Sequence, residues 1–158
     1  MFTTPILLIL FNRPDKAKRL IDSLRTTKPS TVFVSADGPR DTVPTDIDRC
    51  NKTREVISQI DWPCEVHTNF HEKNTGADFG PEKAINWFFD HVDEGIILED
   101  DCIAHHDFFH FAQSMLNTYR DNNQIMMVSG DNFQNGITRG EGSYYFSKYP
   151  STWGWASW

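Results

Sequence analysis

Pro5-Ile-Leu-Leu-Ile-Leu-Phe-Asn-Arg-Pro-Asp15 opens with six consecutive apolar side chains, Ile6–Phe11, and then turns abruptly polar. An apolar run without alternation fits a strand buried on both faces, the signature of a parallel sheet. Asn12 to Asp15 opens a helix, with Asn12 or Asp15 as N-cap, and Ala17, Leu20, Ile21 and Leu24 recur at helical spacing. Lys28-Pro29-Ser30 stops it. Thr31–Ala36 (Thr-Val-Phe-Val-Ser-Ala) is a second strand, closed by Asp37-Gly38-Pro39. Strand, helix, strand within forty residues is a parallel crossover unit.

The pattern continues outward. Asp41–Asp48 reads as a polar loop and Arg49–Ile60 as a helix with Val56, Ile57 and Ile60 inward. Cys64–Asn69 is a third strand. His71–Gly80 is a loop, and Pro81 suits the first position of a helix running to about His91. Ile96-Ile97-Leu98 is a fourth buried strand, ending in Glu99-Asp100-Asp101. Asp107–Tyr119 is a helix; Ile125–Ser129 is a fifth strand and Ser143–Ser147 a sixth. The expected class is α/β: a Rossmann-like, mostly parallel sheet flanked by helices, one domain over residues 1–158.

Composition narrows the function. With 15 Lys+Arg against 22 Asp+Glu the net charge is −7, a poor match for nucleic acid or an anionic membrane. The longest apolar run is far short of a membrane span, and no small-residue cleavage site follows it. The 3 cysteines, Cys50, Cys64 and Cys102, lack metal spacing, which suggests a reducing compartment; with no signal or membrane segment the expected place is cytoplasmic, peripheral to the inner membrane face. The chain ends in Ser-Thr-Trp-Gly-Trp-Ala-Ser-Trp158, an unusually aromatic close for a polar, fraying terminus. The expectation is a sheet incomplete at its C-terminus that self-associates through this aromatic end.

Ligands of open α/β sheets bind at the carboxyl ends of the strands. Asn12-Arg13, Asp37-Gly38 and Glu99-Asp100-Asp101 all fall there. Three adjacent carboxylates repel one another, and a hard divalent cation with oxygen preference offsets that; a solvated acidic turn is the plainer alternative. Asp37-Gly38 reads equally as a simple turn. Arg13 offers a fork of donors to a phosphate, or is a surface residue before Pro14. His105, His106 and His110 read as solvated helix-start histidines, because no third ligand completes a zinc set. Cys102 reads as a small core residue whose thiol the nearby carboxylates hold protonated. Neither a Gly-x-Ser-x-Gly elbow nor a Gly-x-x-x-x-Gly-Lys-Ser/Thr loop occurs.

Taken in order, these elements resemble the nucleotide-sugar-binding part of GT-A fold glycosyltransferases, nearest N-acetylglucosaminyltransferase I and its bacterial relatives. Pro5–Arg13 resembles their first strand and nucleotide-contacting arginine. Val34-Ser-Ala-Asp-Gly38 resembles the second strand and its uracil-contacting aspartate. Ile97-Leu-Glu-Asp-Asp101 with Asp107-Phe108-Phe109 resembles the Glu-Asp-Asp element and the helix start after it. Tyr149-Pro150 through Trp153-Gly154-Trp155 resembles an aromatic Gly-Trp segment on the sugar and acceptor side.

The resemblance implies a metal-dependent, inverting glycosyltransferase that moves a sugar from a nucleotide-diphosphate donor, a UDP-sugar, to a glycan or glycolipid hydroxyl. It implies Asp101 as the Mn²⁺ (or Mg²⁺) ligand, Asp100 and Glu99 against the ribose and donor sugar, Asp37 on the uracil ring and Arg13 at the nucleotide. The loop Asn74-Thr-Gly76 through Asp78 falls in the place of a further nucleotide-contacting loop, with Asn74 and Gly76 as its contacts, and Trp153 and Gly154 line the donor site. The family's general base is an aspartate beyond the aromatic segment, so the catalytic base is expected past Trp158. The alternative is a nucleotide-sugar-binding module without turnover. A nucleotidyltransferase fits less well, because Asn12-Arg13-Pro14-Asp15 lacks glycines. A flavodoxin-like regulator, with Lys148 forced into service, leaves the aromatic end without a role.

Overall fold

The computed structural model describes residues 2–138 and 140–158. Its element order is β1 (Ile6–Leu10), α1 (Pro14–Leu24), β2 (Thr31–Ala36), α2 (Thr45–Glu55), a 3-10 turn (Val56–Gln59), β3 (Glu65–Phe70), α3 (Gly76–Phe89), β4 (Gly95–Glu99), α4 (His106–Tyr119), β5 (Val128–Ser129) and β6 (Trp155–Ser157). The strands form one mixed sheet in the order β3-β2-β1-β4-β6-β5. The β1–β2, β1–β4 and β2–β3 pairs are parallel, and β6 is antiparallel to both β4 and β5. The expected α/β class with a mostly parallel sheet is what the chain adopts.

Alternation on the central strands builds two apolar layers. Ile6, Leu8, Leu10, Val32, Val34, Ile96 and Leu98 pack with α1 (Ala17, Leu20, Ile21, Leu24) and α4 (Phe109, Ala112, Leu116). Leu7, Phe33 and Ile97 face the other way, onto Ala84 and Phe88 of α3. The unbroken apolar reading of β1 thus reflects cover on both faces. At the foot of the second layer, a Cβ on Gly95 would lie 2.2 Å from Phe88 Cζ, so glycine lets the ring seat against β4.

Four local expectations are corrected. Neither Asn12 nor Asp15 caps α1: the N-cap is Arg13, without a side-chain cap, Pro14 enters the first turn, and Asn12 bonds Asp46 instead. The second helix starts at Thr45, inside the expected loop, with Asp46 and Asp48 in its first turn. Pro81 lies inside α3 rather than at its start. The Asp37 carboxylate accepts the Thr75 N–H and hydroxyl, so the chain enters its helical path one turn earlier. Ser143–Ser147 forms no strand; the sixth strand is Trp155–Ser157. The aromatic end is therefore paired on both sides, and the expected unpaired edge at that segment is not found. Large exposed apolar side chains fall earlier, at Phe133, Ile137, Tyr144, Tyr145, Phe146, Tyr149 and Trp153. Among the described residues, no helix is long and apolar enough to cross a membrane.

Candidate functional site

A cleft of about 290 Å³ opens at the carboxyl ends of β1, β2, β3 and β4. Six of the residues singled out in the sequence line it: Arg13, Asp37, Asn74, Gly76, Glu99 and Asp100. They belong to four separate connections, brought to one place because parallel strands send every carboxyl end to the same edge. Ile9, Leu10, Phe11 and Pro81 give the cleft apolar walls.

The acidic side is organised by two cations from the start of α1. Arg13 Nη1 donates to Asp100 Oδ1 at 2.9 Å and to Asp101 Oδ2 at 3.1 Å, and Lys16 Nζ approaches Asp101 Oδ2 at 3.5 Å. Asp100 is buried, while Glu99 and Asp101 are exposed. Desolvation pushes the Asp100 carboxyl up, against the pull of Arg13. Glu99 is pushed up by desolvation and then by the charges of Asp101 and Asp100. Cys102 behind the triplet is buried, and desolvation raises its thiol, in keeping with a core residue.

On the opposite side, Asp37 is a hub. It accepts from Gly38 N (2.9 Å), Asn74 Nδ2 (2.8 Å), Thr75 N (2.9 Å) and Thr75 Oγ1 (3.0 Å). It thereby caps α3 and ties the loop after β2 to the loop after β3. A Cβ on Gly38 would come within 2.5 Å of the Lys73 backbone, so the two loops touch main chain to main chain. Arg54 of α2 fastens the same junction by donating to the His71 carbonyl at 2.6 Å and the Asp37 carbonyl at 3.3 Å.

Trp153 and Gly154 are not brought to this cleft. Gly154, at φ +79°, closes the β5–β6 connection, its carbonyl accepting the Gly130 N–H at 2.9 Å. The Trp153 N–H donates to Asp131 Oδ2 at 3.0 Å, and its ring is 65% exposed. Asp131, which also accepts from Ser151, follows β5, a strand that runs in the direction of β4. His105 and His106 are solvated at the start of α4, as expected, but Asp107 joins them: the three ligand atoms lie within 4.8 Å of one another.

Sequence reasoning missed Arg40 and His71, which line the cleft, and Asp46 behind it. One signal was available for Asp46. Acidic residues at 46 and 48 with Lys52 and Arg54 a turn or two later mark the two ends of a helix, not a loop. The chain matches no protein-family model, and no curated protein is significantly similar to it.

Proposed function

We propose that the chain is a GT-A type donor-binding domain of a metal-dependent glycosyltransferase, with a nucleoside diphosphate sugar, UDP-linked, in the carboxyl-edge cleft. One observation carries this reading. Arg13, Asp37, Asn74, Glu99 and Asp100, each picked from sequence for a nucleotide-sugar role, line the same cleft. Their positions extend over the ends of four strands, room for an elongated ligand with a cationic contact at Arg13 and polar groups along its length.

The residues suit a hard divalent cation. All candidate donors are carboxylate oxygens, Asp101 is accessible, and the Glu99 and Asp100 carboxyls are both pushed up, first by desolvation and then, at Glu99, by its acidic neighbours. Asp101 would hold Mn²⁺ or Mg²⁺, which would supply Lewis-acid stabilisation of a departing diphosphate. The chain's own groups do the rest. Arg13, which spans the two aspartates, is a flat fork that meets phosphate oxygens as well as carboxylates. The acceptor is a glycan or glycolipid hydroxyl, and the exposed aromatic surface leading to Trp153 suits the apolar face of a sugar ring.

Calorimetric titration of UDP with Mn²⁺ or with chelator, on wild type and Asp101→Ala, tests the reading. The expected result is binding that strengthens with Mn²⁺ in wild type and loses that gain in the variant. Equal UDP affinity in all four conditions, or no binding in any, overturns it.

A further inference from the structure

The nucleotide reading leaves one question that the cleft's geometry addresses: what takes the nucleoside's ring. Asp37 is the residue the resemblance would use, but both of its oxygens are already engaged by Gly38, Asn74 and Thr75. Arg40 stands beside it on the cleft wall, with no role assigned by sequence. Its guanidinium lies 5.4 Å from the centroid of the Phe11 ring, the last apolar residue of the β1 segment.

Arg40 is held by a carboxylate that solvent does not reach. The Asp46 side chain is 1% exposed. It accepts Arg40 Nε at 2.6 Å, Arg40 Nη2 at 3.1 Å and the Arg40 backbone N–H at 3.3 Å. Asn12 Nδ2, from the loop after β1, donates to its Oδ1 at 2.7 Å. A buried carboxylate is costly unless well paired, and this one is paired on both oxygens. The two-point contact fixes the plane of the guanidinium as well as its place. Asp46 uses Nε and one Nη2 hydrogen of the fork, and Arg40 remains half-exposed, so donors and part of its planar surface stay available to a ligand.

We propose that Arg40 is a nucleoside-facing residue of this cleft, offering its fixed guanidinium plane to the base, and that Asp46, which touches no ligand, is the residue that positions it. The inference rests on the nucleotide reading above. Position along the sheet assigns the nucleoside rather than the phosphates to Arg40. Arg13 is drawn toward β4 by Asp100 and Asp101, marking the diphosphate end, whereas Arg40 follows β2 and leans on Phe11. Planar rings stack favourably on guanidinium, and lysine at the same place keeps the charge but loses the plane.

The test compares UDP, UMP and inorganic pyrophosphate, each titrated with Mn²⁺ present, on wild type, Arg40→Lys and Asp46→Asn. UDP and UMP should each bind about tenfold more weakly to both variants. Pyrophosphate, which has no ring, should stay within about twofold of wild type, a split that a general loss of structure would not give. Should Asp46→Asn fail to fold, Arg40→Lys decides alone, since its side chain is half-exposed. Unchanged UDP affinity in a folded Arg40→Lys overturns the inference while leaving the nucleotide reading intact. Parallel loss of pyrophosphate also overturns it, by making Arg40 a phosphate contact. Wild type that binds no UDP overturns both.

Discussion

Asp46 shows how one buried carboxylate couples stability to the cleft. Hydrogen bonds from Arg40, together with those from Asn12 and the Arg40 backbone, hold its pKa down at about 2, outweighing desolvation. The folded value lies below the unfolded one of about 3.9, so the ionised form is favoured by folding. That stabilisation is complete above about pH 4 and drains away as the pH falls toward 2. Thermal midpoints across this range should therefore drop more steeply in wild type than in Asp46→Asn, which has no proton to take up there; parallel curves would contradict it. The charge pattern of residues 46–54 marks a helix start here, but nothing in the sequence marks this carboxylate as buried. It sits in Asp41-Thr-Val-Pro-Thr-Asp46, a polar stretch that reads as loop, and only the fold places it against the guanidinium of Arg40. Arg13 and the acidic triplet were legible for the opposite reason: each stands directly at the end of an apolar run, where parallel topology fixes its destination. At Gly95 the constraint is purely steric. Gly95→Ala would force a methyl into Phe88 and within 2.9 Å of the Pro5 carbonyl, an overpacking that should cost about 1–3 kcal/mol in denaturant unfolding.

Among the elements, α3 depends most on groups outside itself. Its first N–H groups have no intrahelical acceptor, and Pro81 in the interior removes a further backbone donor. Asp37, one strand away, supplies the cap. Asp37→Ala should lower stability by about 1–2 kcal/mol in a urea titration, because Thr75 loses its acceptor. No effect on the urea midpoint would mean that solvent caps α3 equally well. This long-range cap is also why the start of α3 differs from the one the local sequence predicts. Local chemistry marks Pro81 as a helix opener, and the residue that extends the helix backward lies 38 positions earlier. The strands were easier. β1, β2 and β4 carry their burial in their own composition; β5 is only the last two residues of the strand expected over Ile125–Ser129, and Trp155–Ser157 is too short to declare itself. The aromatic Trp155 reads as terminal excess until its two antiparallel partners are known.

At the scale of the whole molecule, β6 joins β5 to the parallel core. It pairs with Gly95–Ile97 on one side and Val128–Ser129 on the other, with Ala156 fully buried between them. Removing residues 155–158 should expose the β4 edge, release β5 and abolish the single cooperative unfolding transition; a truncated chain that still melts in one sharp step would contradict this arrangement. The same sheet order brings the ends of β1 to β4 together at the cleft, which is why Arg13 and Asp100, 87 positions apart, meet there. The central claim is that this cleft is a nucleotide site, and an ¹H–¹⁵N correlation spectrum of the labelled chain titrated with UDP and Mg²⁺ tests it most directly. The account predicts saturable shifts at Arg13, Gly38, Arg40, Asn74 to Gly76 and Glu99 to Asp101, with α1 beyond its first turn and the C-terminal half of α4 unmoved. Saturable shifts confined to other surfaces, or a spectrum unchanged at millimolar UDP, would contradict it.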